Sequence, residues 1–137
     1  MADSRTSPHS GCAGWLVLVA DDDEDSRMLV ANALRRAGFA VMEAENGKVL
    51  LTLFREFAPA NPLVVSDVVM PECDGLEATA AVRKGSPRTP ILLMTGLGGA
   101  ALLRSAKDAG ADLVLSKPVD LPLLVSSAVS LIEKLVA

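Results

Sequence analysis

Four polar positions stand where apolar runs stop: Asp21-Asp22-Asp23 after Trp15–Ala20, Asp67 after Leu63–Ser66, Thr95 closing Ile91–Thr95, and Lys117-Pro118 after Leu113–Ser116. If these ends converge, several carboxylates meet, and each close pair repels by about 4 kcal/mol at an effective dielectric constant of roughly 20. Something positive must then sit among them. An all-oxygen set with few protein ligands and room for water and a phosphate suits Mg²⁺ better than Ca²⁺, which takes roughly six to eight ligands. Lys117 adds a mobile ammonium, and the Thr95 hydroxyl can bond an oxygen arriving on the carboxylate opposite. A carboxylate nucleophile, a divalent ion, an ammonium and a hydroxyl donor together make a phosphoryl-binding set.

Each part taken singly has a plainer explanation. The run Asp21–Asp25 could be a solvated loop or the acidic start of a helix. Asp67 could cap a turn before Pro71, Thr95 could cap the next helix, and Lys-Pro pairs are common. As an EF-hand the acidic run fails: Asp21, Asp23 and Asp25 fit the first three ligand positions, but Ser26 stands where Gly is needed and Asn32 where Glu is needed. What favours function is the joint occurrence at successive strand ends.

The elements that would position these residues follow from hydrophobic periodicity. Apolar runs at Trp15–Ala20, Val41–Ala44, Leu63–Ser66, Ile91–Thr95 and Leu113–Ser116 read as strands, most of them apolar on both faces as a helix-covered parallel sheet requires. Helical spacing marks Ser26–Ala37, Lys48–Phe57, Leu76–Lys84, Ala100–Ala109 and Leu121–Val136, with Gly38 and Gly110 as stop signals. Alternation of this kind predicts an α/β fold, a doubly wound five-stranded parallel sheet with five helices. Ligands of such folds bind outside the carboxyl ends of the strands, near the point where strand order reverses. All four polar positions are at carboxyl ends.

Composition narrows the class. A length of 137 residues is one domain, and half the residues are apolar, enough for a core. Residues 1–13, rich in small and polar types, read as a flexible tail before a domain at 14–137. A net charge of −4 lacks the basic footprint of a nucleic-acid binder or an anionic-membrane binder, so no direct nucleic-acid contact and no membrane are expected. The run Ala13–Ala20 is far short of the ~20 residues a membrane span needs. Cys12 and Cys73 form no CxxC pair, which excludes a zinc site and a disulfide framework and fits a reducing cytoplasm.

With those residues in view, the chain resembles the receiver domain of two-component response regulators, in particular the chemotaxis-regulator-like receivers, over residues 14–137. Leu16-Val17-Leu18-Val19-Ala20-Asp21-Asp22-Asp23 is similar to the first strand and acidic pair. Ser66-Asp67-Val68-Val69-Met70-Pro71 with Asp74-Gly75 is similar to the phospho-acceptor segment, and Met94-Thr95-Gly96 and Ser116-Lys117-Pro118 supply the rest. The resemblance implies a flavodoxin-like fold and a phosphorelay role. Asp67 would accept a phosphoryl group from the phosphohistidine of a sensor histidine kinase or phosphotransfer protein. Mg²⁺ would be held by Asp22, Asp67 and the backbone carbonyl of Val69, with Asp21 acting through water. Thr95 and Lys117 would engage the acyl phosphate, and the Lys117-Pro118 peptide would be cis. The chain would not be an enzyme beyond catalysing its own phosphorylation and slow dephosphorylation. Its only histidine, His9, lies in the tail, so the donor is expected to be another protein.

Three positions depart from the family pattern. Val114 stands where an aromatic partner of the threonine switch is common, so an aromatic flip is not the readout. Val69 and Leu97, two residues after Asp67 and Thr95, place apolar groups where the attacking water is tuned. Gly98-Gly99 frees the loop into the fourth helix. The last helix carries an apolar stripe, Leu121, Leu124, Val125, Ala128, Val129, Leu131, Ile132, Leu135 and Val136, wider than one sheet face needs. Either the stripe is a broad core face in a small domain, or the fourth helix, fifth strand and fifth helix are the expected face for a homodimer or a downstream protein. A constitutive interaction module that signals without phosphate is the alternative, and it predicts loss of an acidic, acceptor or lysine residue. None is lost.

Overall fold

The computed structural model describes residues 12–96 and 98–136. In chain order the elements are β1 (Leu16–Ala20), α1 (Glu24–Arg36), β2 (Ala40–Ala44), α2 (Gly47–Phe57), a 3-10 turn (Ala58–Ala60), β3 (Leu63–Asp67), α3 (Gly75–Gly85), β4 (Ile91–Thr95), α4 (Ala100–Ala109), β5 (Leu113–Ser116) and α5 (Leu121–Val136). The five strands form one parallel sheet in the order β2-β1-β3-β4-β5. Successive side chains along a strand point to opposite faces, and both faces are filled. Val17, Val19, Leu63, Val65, Leu92 and Met94 pack with Val30 and Leu34 of α1 and with Leu124, Ala128 and Ile132 of α5. Leu18, Ala20, Val64, Ile91 and Leu93 pack with Leu50 and Phe54 of α2, Ala78 and Val82 of α3 and Ala106 of α4. This is the flavodoxin-like α/β sandwich.

Helix starts are set by side-chain caps. The Asp23 carboxylate accepts from Ser26 N–H at 2.9 Å, Asn46 accepts from Val49 N–H at 2.8 Å, and Asp74 and Glu77 form a reciprocal capping box. Each cap draws its helix one or two residues further toward the N-terminus than periodicity indicates, so α1 starts at Glu24 rather than Ser26. α4 has no such cap: its N-cap is Gly99, at φ +112°, without a side-chain hydrogen bond.

Of the expected tail, residues 1–11 lie outside the described residues, as does Leu97. Cys12 is buried against the α1–α5 side of the core. The wide stripe on α5 is mostly covered. Leu124, Ala128, Val129 and Ile132 are buried, Leu121, Val125, Leu131 and Leu135 are half-buried, and only Val136 of the nine is exposed. The reason is position: α5 lies over one sheet face beside α1, and contacts with both widen the covered arc. Among the described residues no helix is long and apolar enough to cross a membrane.

Candidate functional site

Strand order reverses between β1 and β3, which flank one another with Ala20 opposite Ser66. One step beyond that pair lie Asp21 and Asp67, side by side at the rim. The next strand outward, β4, ends at Thr95, opposite Ser116 of β5, and Lys117 follows. The Lys117 N–H donates to the Thr95 carbonyl at 2.8 Å, and the Lys117-Pro118 peptide is cis. The ordinary progress of a parallel sheet thus delivers all four polar strand ends to one crevice.

Within it, Lys117 Nζ donates to Asp67 Oδ2 at 2.8 Å and to Asp21 Oδ2 at 3.1 Å. One carboxylate oxygen each from Asp21, Asp22 and Asp67 lies within 4.8 Å of the others. Asp21 is fully buried, Asp67 nearly so, and Asp22 is open to solvent. Thr95 is buried beside them. Val69 N–H reaches Asp67 Oδ1 at 3.3 Å, and the Val69 side chain is exposed. Asp23, the third residue of the acidic run, turns away to cap α1 while its own N–H donates to Asp21 Oδ1 at 3.0 Å.

Burial pushes the Asp67 carboxyl above the ordinary carboxylate range. The hydrogen bond and charge of Lys117 oppose that rise, and the charge of Asp21 adds to it. Burial alone would lower Lys117, but its hydrogen bonds to Asp67 and Asp21 and their charges raise it above the ordinary lysine value. Three carboxylates against one ammonium leave the pocket electronegative. Their hard oxygens, with Asp22 on the open side, fit a small divalent cation that keeps much of its water.

The end of β3 at Asp67 is also held from below. Gly75, the first residue of α3, donates its N–H to the Val68 carbonyl at 2.7 Å. A Cβ on Gly75 would lie 2.2 Å from the Asp67 carbonyl oxygen, so only glycine permits this approach. Two residues that sequence reasoning passed over also belong here. Arg27 Nη1 donates to the Asp21 carbonyl at 3.0 Å, and Arg27 Nε to Glu43 Oε1 at 3.0 Å. Their one sequence signal is a basic residue just after the acidic helix start, where the helix dipole disfavours it.

The fold and this crevice define a receiver, and comparison with known proteins agrees. The response regulator receiver domain family matches residues 17–129, and the chain belongs to it. It is 35% identical over 106 residues to the chemotaxis protein CheY of Halobacterium salinarum, covering 77% of this chain and 87% of that protein. It is 39% identical over 105 residues to the two-component response regulator ORR41 of Oryza sativa subsp. japonica, covering 75% and 83%. Among solved structures, Vibrio cholerae CheY4 superposes with a TM-score of 0.77 at 32% identity, covering 84% of this chain and 96% of that one. The protein is therefore a response regulator receiver domain of two-component signalling, a family that binds Mg²⁺ at an acidic pocket and interacts with histidine kinases or phosphotransfer proteins.

Proposed function

We propose that the chain is a phospho-accepting switch in which Asp67 takes a phosphoryl group from the phosphohistidine of a sensor histidine kinase or phosphotransfer protein, and that the change alters partner binding. The observation that carries this reading is the Lys117 bridge between Asp67 and Asp21 at the strand-order reversal. In the transfer an Asp67 oxygen forms a P–O bond as the P–N bond to the donor imidazole breaks. The electron pair of that bond stays on the imidazole nitrogen, which is then protonated from water. Asp22, Asp67 and the Val69 carbonyl, with Asp21 acting through water, would hold Mg²⁺, which when bound would neutralise charge on the transferring group. Lys117, already on Asp67, pairs with the arriving phosphoryl oxygens, and the Thr95 hydroxyl donates to one of them. The exposed Val69 side chain, two residues after Asp67, is an apolar group that changes water access to the phosphoryl group. In this reading the chain catalyses only its own phosphorylation and slow dephosphorylation.

Leu29 on α1, 61% exposed, borders a cleft that also includes Asp25, Lys117 and Pro118, and with the exposed Met28 next to it in the chain it supports docking of the donor protein there. For output, Leu103 on α4 is exposed beside a cavity of about 320 Å³ lined by Val114, which supports the α4–β5–α5 face for a homodimer or downstream protein. Residues 14–137 are the receiver domain in this reading, and a cytoplasmic location accords with its two free cysteines.

The test is intact-mass measurement after incubation with a small phosphoryl donor and Mg²⁺. Wild type should gain one phosphoryl group and Asp67→Asn none. An adduct of undiminished yield on Asp67→Asn overturns the assignment.

A further inference from the structure

We propose that Arg27 is the positioning residue of the acidic pair: by holding the Asp21 carbonyl it fixes the peptide plane from which Asp22 projects toward the metal. The inference deepens the reading of this crevice as a Mg²⁺ site and rests on it. Every polar group of Asp21 has a partner. Its N–H donates to the Ala44 carbonyl at 3.1 Å, and its carboxylate takes Asp23 N–H and Lys117 Nζ. Its carbonyl takes Arg27 Nη1 at 3.0 Å. That last contact sets the orientation of the Asp21–Asp22 peptide, and Asp22 is the solvent-facing member of the carboxylate trio.

Arg27 itself is held. Its Nε lies 3.0 Å from Glu43 Oε1, and the other oxygen of Glu43 takes Arg35 Nη2 at 3.1 Å. The Arg27 side chain is only 16% exposed, so its planar fork is confined between the β1 end and β2. Ala44, which binds the Asp21 N–H, is the neighbour of Glu43 on β2. Both ends of the Asp21 backbone are therefore referred to the same strand. A guanidinium near a helix N-terminus works against the helix dipole, so helix stability does not account for it. Removing it frees the peptide plane, and a ligand that must be re-ordered on binding costs affinity.

The experiment uses the full chain with Arg27→Met, Glu43→Gln and, as a control, Arg35→Met, which removes the outer ion pair without touching Asp21. Two quantities are read: exchange of the Asp23 amide in metal-free protein by NMR, and MgCl₂ affinity by calorimetry. Arg27→Met should speed Asp23 exchange at least fivefold and raise the Mg²⁺ Kd at least fivefold. Glu43→Gln should fall between that and wild type, and Arg35→Met should stay within twofold of wild type in both. A merely structural Arg27 would lower the unfolding midpoint and leave exchange and Kd in place. Folded Arg27→Met within twofold of wild type in both readouts overturns the proposal. Should Arg27→Met not fold, Arg27→Lys reaches only one of the two oxygens and is held to the same thresholds. Failure of wild type to bind Mg²⁺ would instead overturn the reading of the crevice, while Asp23 exchange in metal-free protein still decides the role of Arg27.

Discussion

The two glycines at the ends of α3 make a paired perturbation with opposite expected signs. At Gly75 an added Cβ would sit 2.2 Å from the Asp67 carbonyl oxygen, 2.9 Å from Val68 Cα and 3.0 Å from the Asp67 carbonyl carbon. Ordinary contacts begin near ~3.5 Å, so backbone must move by about 1 Å. The neighbours are the end of a central strand, which cannot rotate aside as a side chain can. Overpacking of this kind costs ~1–3 kcal/mol, and stretching the 2.7 Å bond from Gly75 N–H to the Val68 carbonyl adds ~1 kcal/mol. Against this, alanine in place of glycine favours a helix by up to ~1 kcal/mol. The net expectation for Gly75→Ala is a loss of ~1–3 kcal/mol. At Gly85 nothing lies within 4 Å of the same Cβ, and only the helix-propensity gain of ~0.5–1 kcal/mol remains. Urea unfolding followed by fluorescence of the single Trp15 measures both. Because the strain falls on Asp67, the proposed acceptor, phosphoryl uptake should drop in Gly75→Ala and persist in Gly85→Ala. Equal unfolding midpoints for the two variants would refute the reasoning.

Asp67→Asn should unfold at higher urea than wild type at neutral pH in the absence of Mg²⁺. The folded-state pKa of Asp67 is raised, so its contribution to stability is whole at low pH and is lost as pH rises through the folded value. The gap between variant and wild type should therefore close as pH falls below about 4, where the carboxyl is protonated in both states, and a gap independent of pH would count against the desolvation account. Arg83→Met should lower stability by ~2–4 kcal/mol. Its guanidinium donates to the carbonyls of Gly110 (2.6 Å), Thr89 (2.7 Å) and Pro87 (2.8 Å), and two of these carbonyl residues cap or adjoin helix ends. Hydrogen exchange should rise first at the C-terminal end of α4, and uniform exchange along α4 would show that Arg83 does not anchor it.

What the sequence made legible was whatever depends on period. Five apolar runs became five strands, and the polar residues that interrupt them became a single crevice, because parallel strands connected by helices all bring their carboxyl ends to one edge. Single-residue boundaries depend on side-chain hydrogen bonds and were less legible. Asp23 belongs to the acidic run by type, yet its carboxylate closes α1 while Asp21 and Asp22 stay at the site. The helix-start reading of that run holds for Asp23, while Asp21 and Asp22 join Asp67 in the carboxylate cluster.

Least legible were contacts between elements distant in sequence. Nine apolar positions on α5 suggested surplus surface, but the period of a helix does not say how many neighbours it has. Val129, one of the nine, is 6% exposed in a core shared by β1, β3, β4, α1 and α5. A lysine there would test folding rather than association, whereas Leu131, half-buried at the margin, can carry a charge outward. The same limit hid Arg27, whose partners are Asp21, just past the end of β1, and Glu43 on the adjacent strand β2. Strand ends can be aligned from one sequence because the sheet repeats. The side chains that hold those ends still follow no period, and at this site they come from α1 and β2, elements in which the strand-end reading placed no functional residue.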